Sequence, residues 1–118
     1  MKKEIGKKGE EMAIDYLKKN GYEILDTNYQ KREGEIDLIA YDPVSDEIVF
    51  IEVKTRRSQA YGYPEEAVDQ DKVEKIMTVG RTWLEEKDKV DVFWRIDIIA
   101  IELNYTPPKI EQFKNITT

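Results

Sequence analysis

The chain has 118 residues, with 25 acids against 19 bases, a net charge of -6, 40% hydrophobic residues and 37% charged ones. That length and balance predict one domain over residues 1–118 with an ordinary core, too apolar for disorder and too polar for a helical membrane protein. With no cysteine and no histidine, it is excluded from disulfides, thiol nucleophiles, Ser-His-Asp triads and thiolate or imidazole metal sites.

From Lys3 to Asn20 the pattern predicts an amphipathic helix, with Ile5, Met12, Ala13, Tyr16 and Leu17 near one face. Lys18, Lys19, Asn20 and Gly21 form its stop, since cations suit the negative helix end and Gly tolerates a left-handed cap. Tyr22 to Tyr29 reads as a strand, Lys31-Arg32-Glu33-Gly34 as a turn, and Glu35 to Tyr41 as a second strand. After a turn at 42–46, Glu47 to Lys54 is a strand rich in β-branched residues. A polar loop containing Gly62 and Pro64 leads to a helical pattern from Glu65 to about Lys87. Gly80 interrupts that pattern and weakens its continuity. Val92 to Leu103 is a further strand, and Lys109 to Ile116 a short last one. The expected class is α/β in the order α-β-β-β-α-β, a mixed central sheet flanked by helices.

The N-terminal MKKEIGKKGEE has no apolar stretch after its lysines, and no run reaches membrane-spanning length, so the expected location is the cytoplasm with no membrane partner. The missing residue types narrow the remaining chemistry. Any metal must be held by oxygens, which favours Mg²⁺ or Mn²⁺. Any general acid or base must be a carboxylate, Lys, Tyr or water.

Three charged residues in the strands need a joint explanation. Strand alternation puts Glu35, Asp37 and Ile39 on one face, and Ile48, Phe50, Glu52 and Lys54 on one face of the next strand. Their neighbours are strongly apolar, and unpaired burial of a carboxylate costs several kcal/mol or shifts its pKa. A hairpin at 42–46 brings Asp37 and Glu52 together if the register agrees. Two carboxylates on adjacent strands can hold one Mg²⁺, with the Val53 carbonyl as a third oxygen. Lys54 then reaches the same side to orient the attacking water and stabilise charge at phosphorus. Spacing alone fits equally well an Asp/Glu–Lys ion pair that fixes sheet register.

The string Asp37…Glu52-Val53-Lys54 resembles the PD-(D/E)xK nuclease signature, with Ile36 where the motif has proline. A more specific set is Gly6, Gly9-Glu10, Ala13, Tyr16-Leu17, Gly21-Tyr22, Asn28, Gly34 to Ala40, Phe50, Glu52 to Arg56, Gly62, Lys72, Arg95 and Asp97. It resembles the YraN family of small bacterial proteins, from Gly6 to about Phe113. The resemblance implies the restriction-endonuclease-like fold and a likeness to archaeal Holliday-junction resolvases. It implies that Asp37 and Glu52 bind metal, that Lys54 is the catalytic lysine, and that Glu10 is an extra acid beside the metal. A homodimer is implied in the same way. From the sequence alone Glu10 reads first as a solvated helix residue, and only the resemblance brings the metal-side role level with that; Glu35 reads equally as a sheet-edge charge.

The acidic balance argues against a broad basic face, but local charge decides contact. Lys7 and Lys8 on the first helix, Lys31 and Arg32 in the turn, and Arg56 and Arg57 after the Lys54 strand are candidate contacts to nucleic acid, DNA in the first instance. Tyr61 and Tyr63 are candidate stacking residues, with plain packing an equal alternative, and Trp83 and Trp94 are expected in the core. The leading expectation is a Mg²⁺- or Mn²⁺-dependent nuclease acting on DNA phosphodiesters, branched forms included. A non-catalytic nucleic-acid-binding module on the same fold is one alternative, and a protein-interaction module is another.

Overall fold

The computed structural model describes residues 2–57 and 69–116. Helix α1 (Lys2–Lys19) is followed by strands β1 (Glu23–Lys31), β2 (Gly34–Asp42) and β3 (Glu47–Arg56), helix α2 (Gln70–Glu86), and strands β4 (Phe93–Glu102) and β5 (Lys109–Phe113). This is the expected α-β-β-β-α-β order with the short terminal strand added. The five strands form one mixed sheet in the spatial order β1-β2-β3-β4-β5. All neighbouring pairs are antiparallel except β3–β4, which is parallel. A parallel pair needs a crossover, and α2 lies in it.

The helices cover opposite faces. In β3, Ile48 and Phe50 pack with Val73, Ile76, Val79 and Trp83 of α2. The intervening Val49 and Ile51 pack with Ala13 and Leu17 of α1. In β4, Ile96 and Ile98 face α2, whereas Ile99 and Ile101 face α1. Burial on both faces explains the near-continuous apolar runs of these central strands.

Two local predictions need correction. The second helix cannot run unbroken from Glu65, because Asp69 is extended (φ -83°, ψ 178°) and caps Gln70 onward by accepting the Lys72 N–H. Residues 65–68 lie outside the described residues. Gly80 does not interrupt the helix either. It lies against the Phe50 ring, where an added Cβ would sit 2.7 Å from Cε2. Its lack of a side chain lets helix and sheet approach closely, which offsets its poor helix propensity. Trp83 is buried as expected, whereas Trp94 is half-buried and packs on Phe50.

Candidate functional site

The β2–β3 ladder runs from Asp42 opposite Glu47 to Leu38 opposite Ile51. The ladder stops one step short of Asp37 and Glu52, which the hairpin turning at 42–46 nonetheless brings close enough for the Glu52 charge to act on Asp37. Here the regular pattern fails. Ile36 and Leu38, two residues apart, pack into different cores, so the alternation breaks at Asp37. On the other side of β2, the register places Asn28 between Thr27–Leu38 and Tyr29–Ile36, level with Asp37. Asn28 has φ 49°, a left-handed conformation that Asn tolerates better than most residues. The sheet is therefore distorted on both strands at one level, and strain of this kind concentrates at functional sites.

Around this level lies an open groove of about 490 Å³ lined by Ile5, Gly6 and Glu10 of α1, Asp37 of β2, Glu52, Val53, Lys54 and Thr55 of β3, and Arg57. Gly9 lets the helix come down onto the strand: a Cβ there would lie 1.8 Å from Thr55 Oγ1. That close approach brings Glu10 to the sheet. The Asn28 side chain hydrogen-bonds the Glu10 carboxylate, which counteracts a pKa raised by burial and by the charges of Glu35 and Glu52. Asp37 accepts a hydrogen bond from the Val53 N–H at 2.8 Å. Its carboxyl is nonetheless pushed up to about 7, by burial first and by Glu52 second, with Glu10 and Glu35 adding to the effect. Glu52 is 7% exposed. Its Oε1 lies 3.4 Å from Lys54 Nζ and 3.5 Å from Lys72 Nζ.

Asp37, Glu52, Val53, Lys54 and Glu10 thus meet at one groove. Glu35 contributes to the electrostatic field on Asp37 and Glu10. The ion pair that spacing alone allowed in place of a metal site is present as Glu52–Lys54, with the groove open beside it. The basic candidates divide. Arg57 lines the groove, and Arg56 ends β3, its carbonyl accepting the Leu103 N–H. Lys7 and Lys8 are exposed on α1, and Arg32 is exposed in the β1–β2 turn. Lys31 does not point to the groove: its ammonium pairs with Glu86, the last residue of α2, at 2.9 Å. Tyr61 and Tyr63 lie outside the described residues.

Residue-type reasoning gave no role to Lys72 or Asn28, although both belong to the set that resembles the YraN family. A cation in the first turn of α2 and an Asn within a strand, each locally unfavourable, were the signals available.

Among the described residues no three acidic side chains are already gathered at metal-ligand spacing. The donor set still fits a hard cation: it offers only oxygens, the charge of Glu52 helps to raise the pKa of both Asp37 and Glu10, and Mg²⁺ commonly uses one or two carboxylates and keeps several waters.

The comparisons agree with the resemblance. The family described as "Uncharacterised protein family UPF0102" matches residues 9–101. A UPF0102 protein from Alkaliphilus oremlandii is 44% identical over 117 residues, covering 98% of each chain. One from Geobacter metallireducens is 42% identical over 113 residues, covering 96% of this chain and 91% of the relative. One from Persephonella marina is 44% identical over 99 residues, covering 84% of each. The chain belongs to the UPF0102 family. Among the described residues no helix is long and apolar enough to cross a membrane.

Proposed function

We propose that this member of UPF0102 is a divalent-cation-dependent phosphodiesterase that acts on DNA, branched forms included, with Mg²⁺ or Mn²⁺ as its cofactor. The observation that carries the reading is the convergence of Asp37, Glu52, Glu10 and Lys54 on one open groove at a distorted level of the sheet. Burial of Asp37 and Glu10 and their repulsion by Glu52 are what a bound cation relieves. Asp37 and Glu52 would hold it, with Glu10 and the Val53 carbonyl at hand. When bound, the cation supplies Lewis-acid stabilisation of charge at the phosphorus centre.

The chain's own residues do the rest. The Val53 N–H fixes the Asp37 carboxylate. The Asn28 amide holds Glu10. Lys54, on the same face of β3 as Glu52, orients the attacking water and offsets negative charge on the phosphate. Arg57, on the groove wall, and Arg56 contact backbone phosphates.

The test is nicking of linear and four-way-junction DNA with Mn²⁺ by wild type, Asp37→Ala and Lys54→Ala. The expected result is a loss of about 10²-fold or more in each variant, as for removal of one electrostatic or proton-transfer group. Equal activity in all three would overturn the assignment. One observation favours a non-catalytic DNA-binding module instead: the Glu52 charge is already balanced by Lys54 and Lys72. That reading predicts DNA binding that survives EDTA, with no cleavage under any divalent metal.

A further inference from the structure

Lys72 lies in the first turn of α2, three residues after the capping Asp69. This is an electrostatically poor place for a cation, because helix N-termini carry partial positive charge and favour acids. Glu or Gln at this position would also close a capping box. The lysine reaches away from the helix to Glu52 of β3, where its ammonium sits 3.5 Å from the carboxylate oxygen that also faces Lys54. Its side chain is 38% exposed and that of Glu52 only 8%. At 3.5 Å the pair is longer than an ordinary charge-assisted hydrogen bond. Two cations thus face one oxygen of Glu52, one of them placed against its own helix.

We propose that Lys72, reaching Glu52 from α2, is a phosphate-contacting residue beside the groove: it balances Glu52 in the free protein and turns to the DNA backbone when Glu52 is committed to a divalent cation. The inference rests on the groove being a cation-dependent DNA site. It adds a recognition residue from α2, across the crossover from the β2–β3 pair. Lys54 then remains with the water and the reacting phosphate, and Lys72 supplies charge to the bound strand.

Two measurements test this, on wild type, Lys72→Gln and Lys72→Arg, each first checked for a wild-type circular dichroism spectrum. In the first, Mn²⁺ is titrated calorimetrically without DNA. Lys72→Gln removes a positive charge that opposes the ion, so Mn²⁺ is expected to bind several-fold more tightly than in wild type. Weaker binding would mean that Lys72 only organises Glu52, and would overturn the proposal. In the second, affinity for a fluorescein-labelled DNA duplex is followed against NaCl concentration in Ca²⁺, with the duplex checked to be uncut. Lys72→Gln is expected to reduce the magnitude of the log–log salt slope by about 0.9, the value for one phosphate no longer neutralised. Lys72→Arg is expected to keep the wild-type slope. If wild type binds and Lys72→Gln shows the same slope, the Lys72 inference fails alone. If wild type does not bind DNA under any of these conditions, the parent reading fails and takes this one with it.

Discussion

The two ends of the sheet each bury acids, and treat them in opposite ways. At the end where β3 and β4 begin, Arg95 binds Asp97 through Nε and Nη2, and Asp42, Ser45 and Glu47 through Nη1, while Nη2 also donates to the Tyr22 hydroxyl. Asp97, fully buried, accepts in addition from Gln112 Nε2 and the Asn115 N–H. Burial alone would raise the Asp42 pKa, but the bonds from Arg95, Ser45 and the Val44 N–H hold it below the usual range. At the other end, Asp37 has a hydrogen bond from Val53, carries a carboxyl pushed up to about 7, and stands next to Glu52 and Glu10. The first cluster is saturated and ties β2, β3, β4 and β5 together. The second sets the charges of Glu52 and Glu10 against Asp37, beside an open groove. Buried acids close to saturation serve the fold, whereas an acid whose pKa is raised beside an open groove is a candidate for chemistry.

The contrast is open to attack, and the Arg95 end should respond most strongly. Arg95→Met leaves Asp97 buried with an uncompensated charge and should destabilise by about 3–5 kcal/mol in urea unfolding. A loss below about 1 kcal/mol would show that the cluster is not a saturated staple. The groove should respond in the other direction. An acid whose pKa rises from 3.8 unfolded to about 7 folded contributes stability that is complete below about pH 4 and is lost as pH rises through about 7. Without divalent cation, Asp37→Asn should therefore match wild type near pH 4 and gain on it up to about pH 7. The gain is at most about 4 kcal/mol for a shift of this size. A stability difference that stays flat across that range would mean that burial and the charge of Glu52 do not raise the Asp37 pKa, on which the contrast depends. Saturating Mn²⁺ should shrink the gain, because it offsets the same repulsion in wild type only.

Smaller effects refine the comparison. Gly80→Ala drives a Cβ into the Phe50 ring and should cost about 1–3 kcal/mol, as overpacking does. It should do so without changing Mn²⁺ affinity, which calorimetry checks. Gly9→Ala meets Thr55 in the same way but also shifts Glu10, so it should lower both thermal stability and Mn²⁺ affinity. An unchanged Mn²⁺ affinity there would detach Glu10 from the site. Glu10→Gln should have the mildest effect on stability, within about 0.5 kcal/mol, because the residue is half-buried and its Asn28 partner can bond an amide.

What the sequence discloses follows the range of each interaction. Asp37, Glu52 and Lys54 are legible because period-two alternation and one short turn suffice to place them side by side. The two helices and the central strands are legible for the same reason, each announced by its own periodicity. Lys72 reaches Glu52 only because α2 crosses the sheet, and no local pattern encodes where a crossover helix points its first turn. Asn28 is hidden by its backbone: strand periodicity contains no left-handed residue. The Arg95 cluster draws partners from the α1–β1 connection, β2, the following turn, β3, β4 and β5, so only the assembled sheet reveals it. Gly80 reads as a weakness when considered within its helix, and the Phe50 ring it accommodates is visible only in three dimensions.

The single parallel pairing has a consequence for how the groove comes into being. Strands β1, β2 and β3 form a meander joined by short turns, whereas β4 must return across the whole crossover to lie beside β3. Closing the longer loop carries the greater entropic cost, so the meander is expected to form ahead of the β3–β4 ladder. Asp37 and Glu52 would then meet before α2 delivers Lys72, and for that interval the young hairpin carries its acids without their full counter-charge. Divalent cations should shorten that interval by screening the pair. Pulsed hydrogen exchange during refolding would show this as earlier amide protection at Leu38 and Ile51 in Mg²⁺ than in EDTA, and equal protection times would count against it.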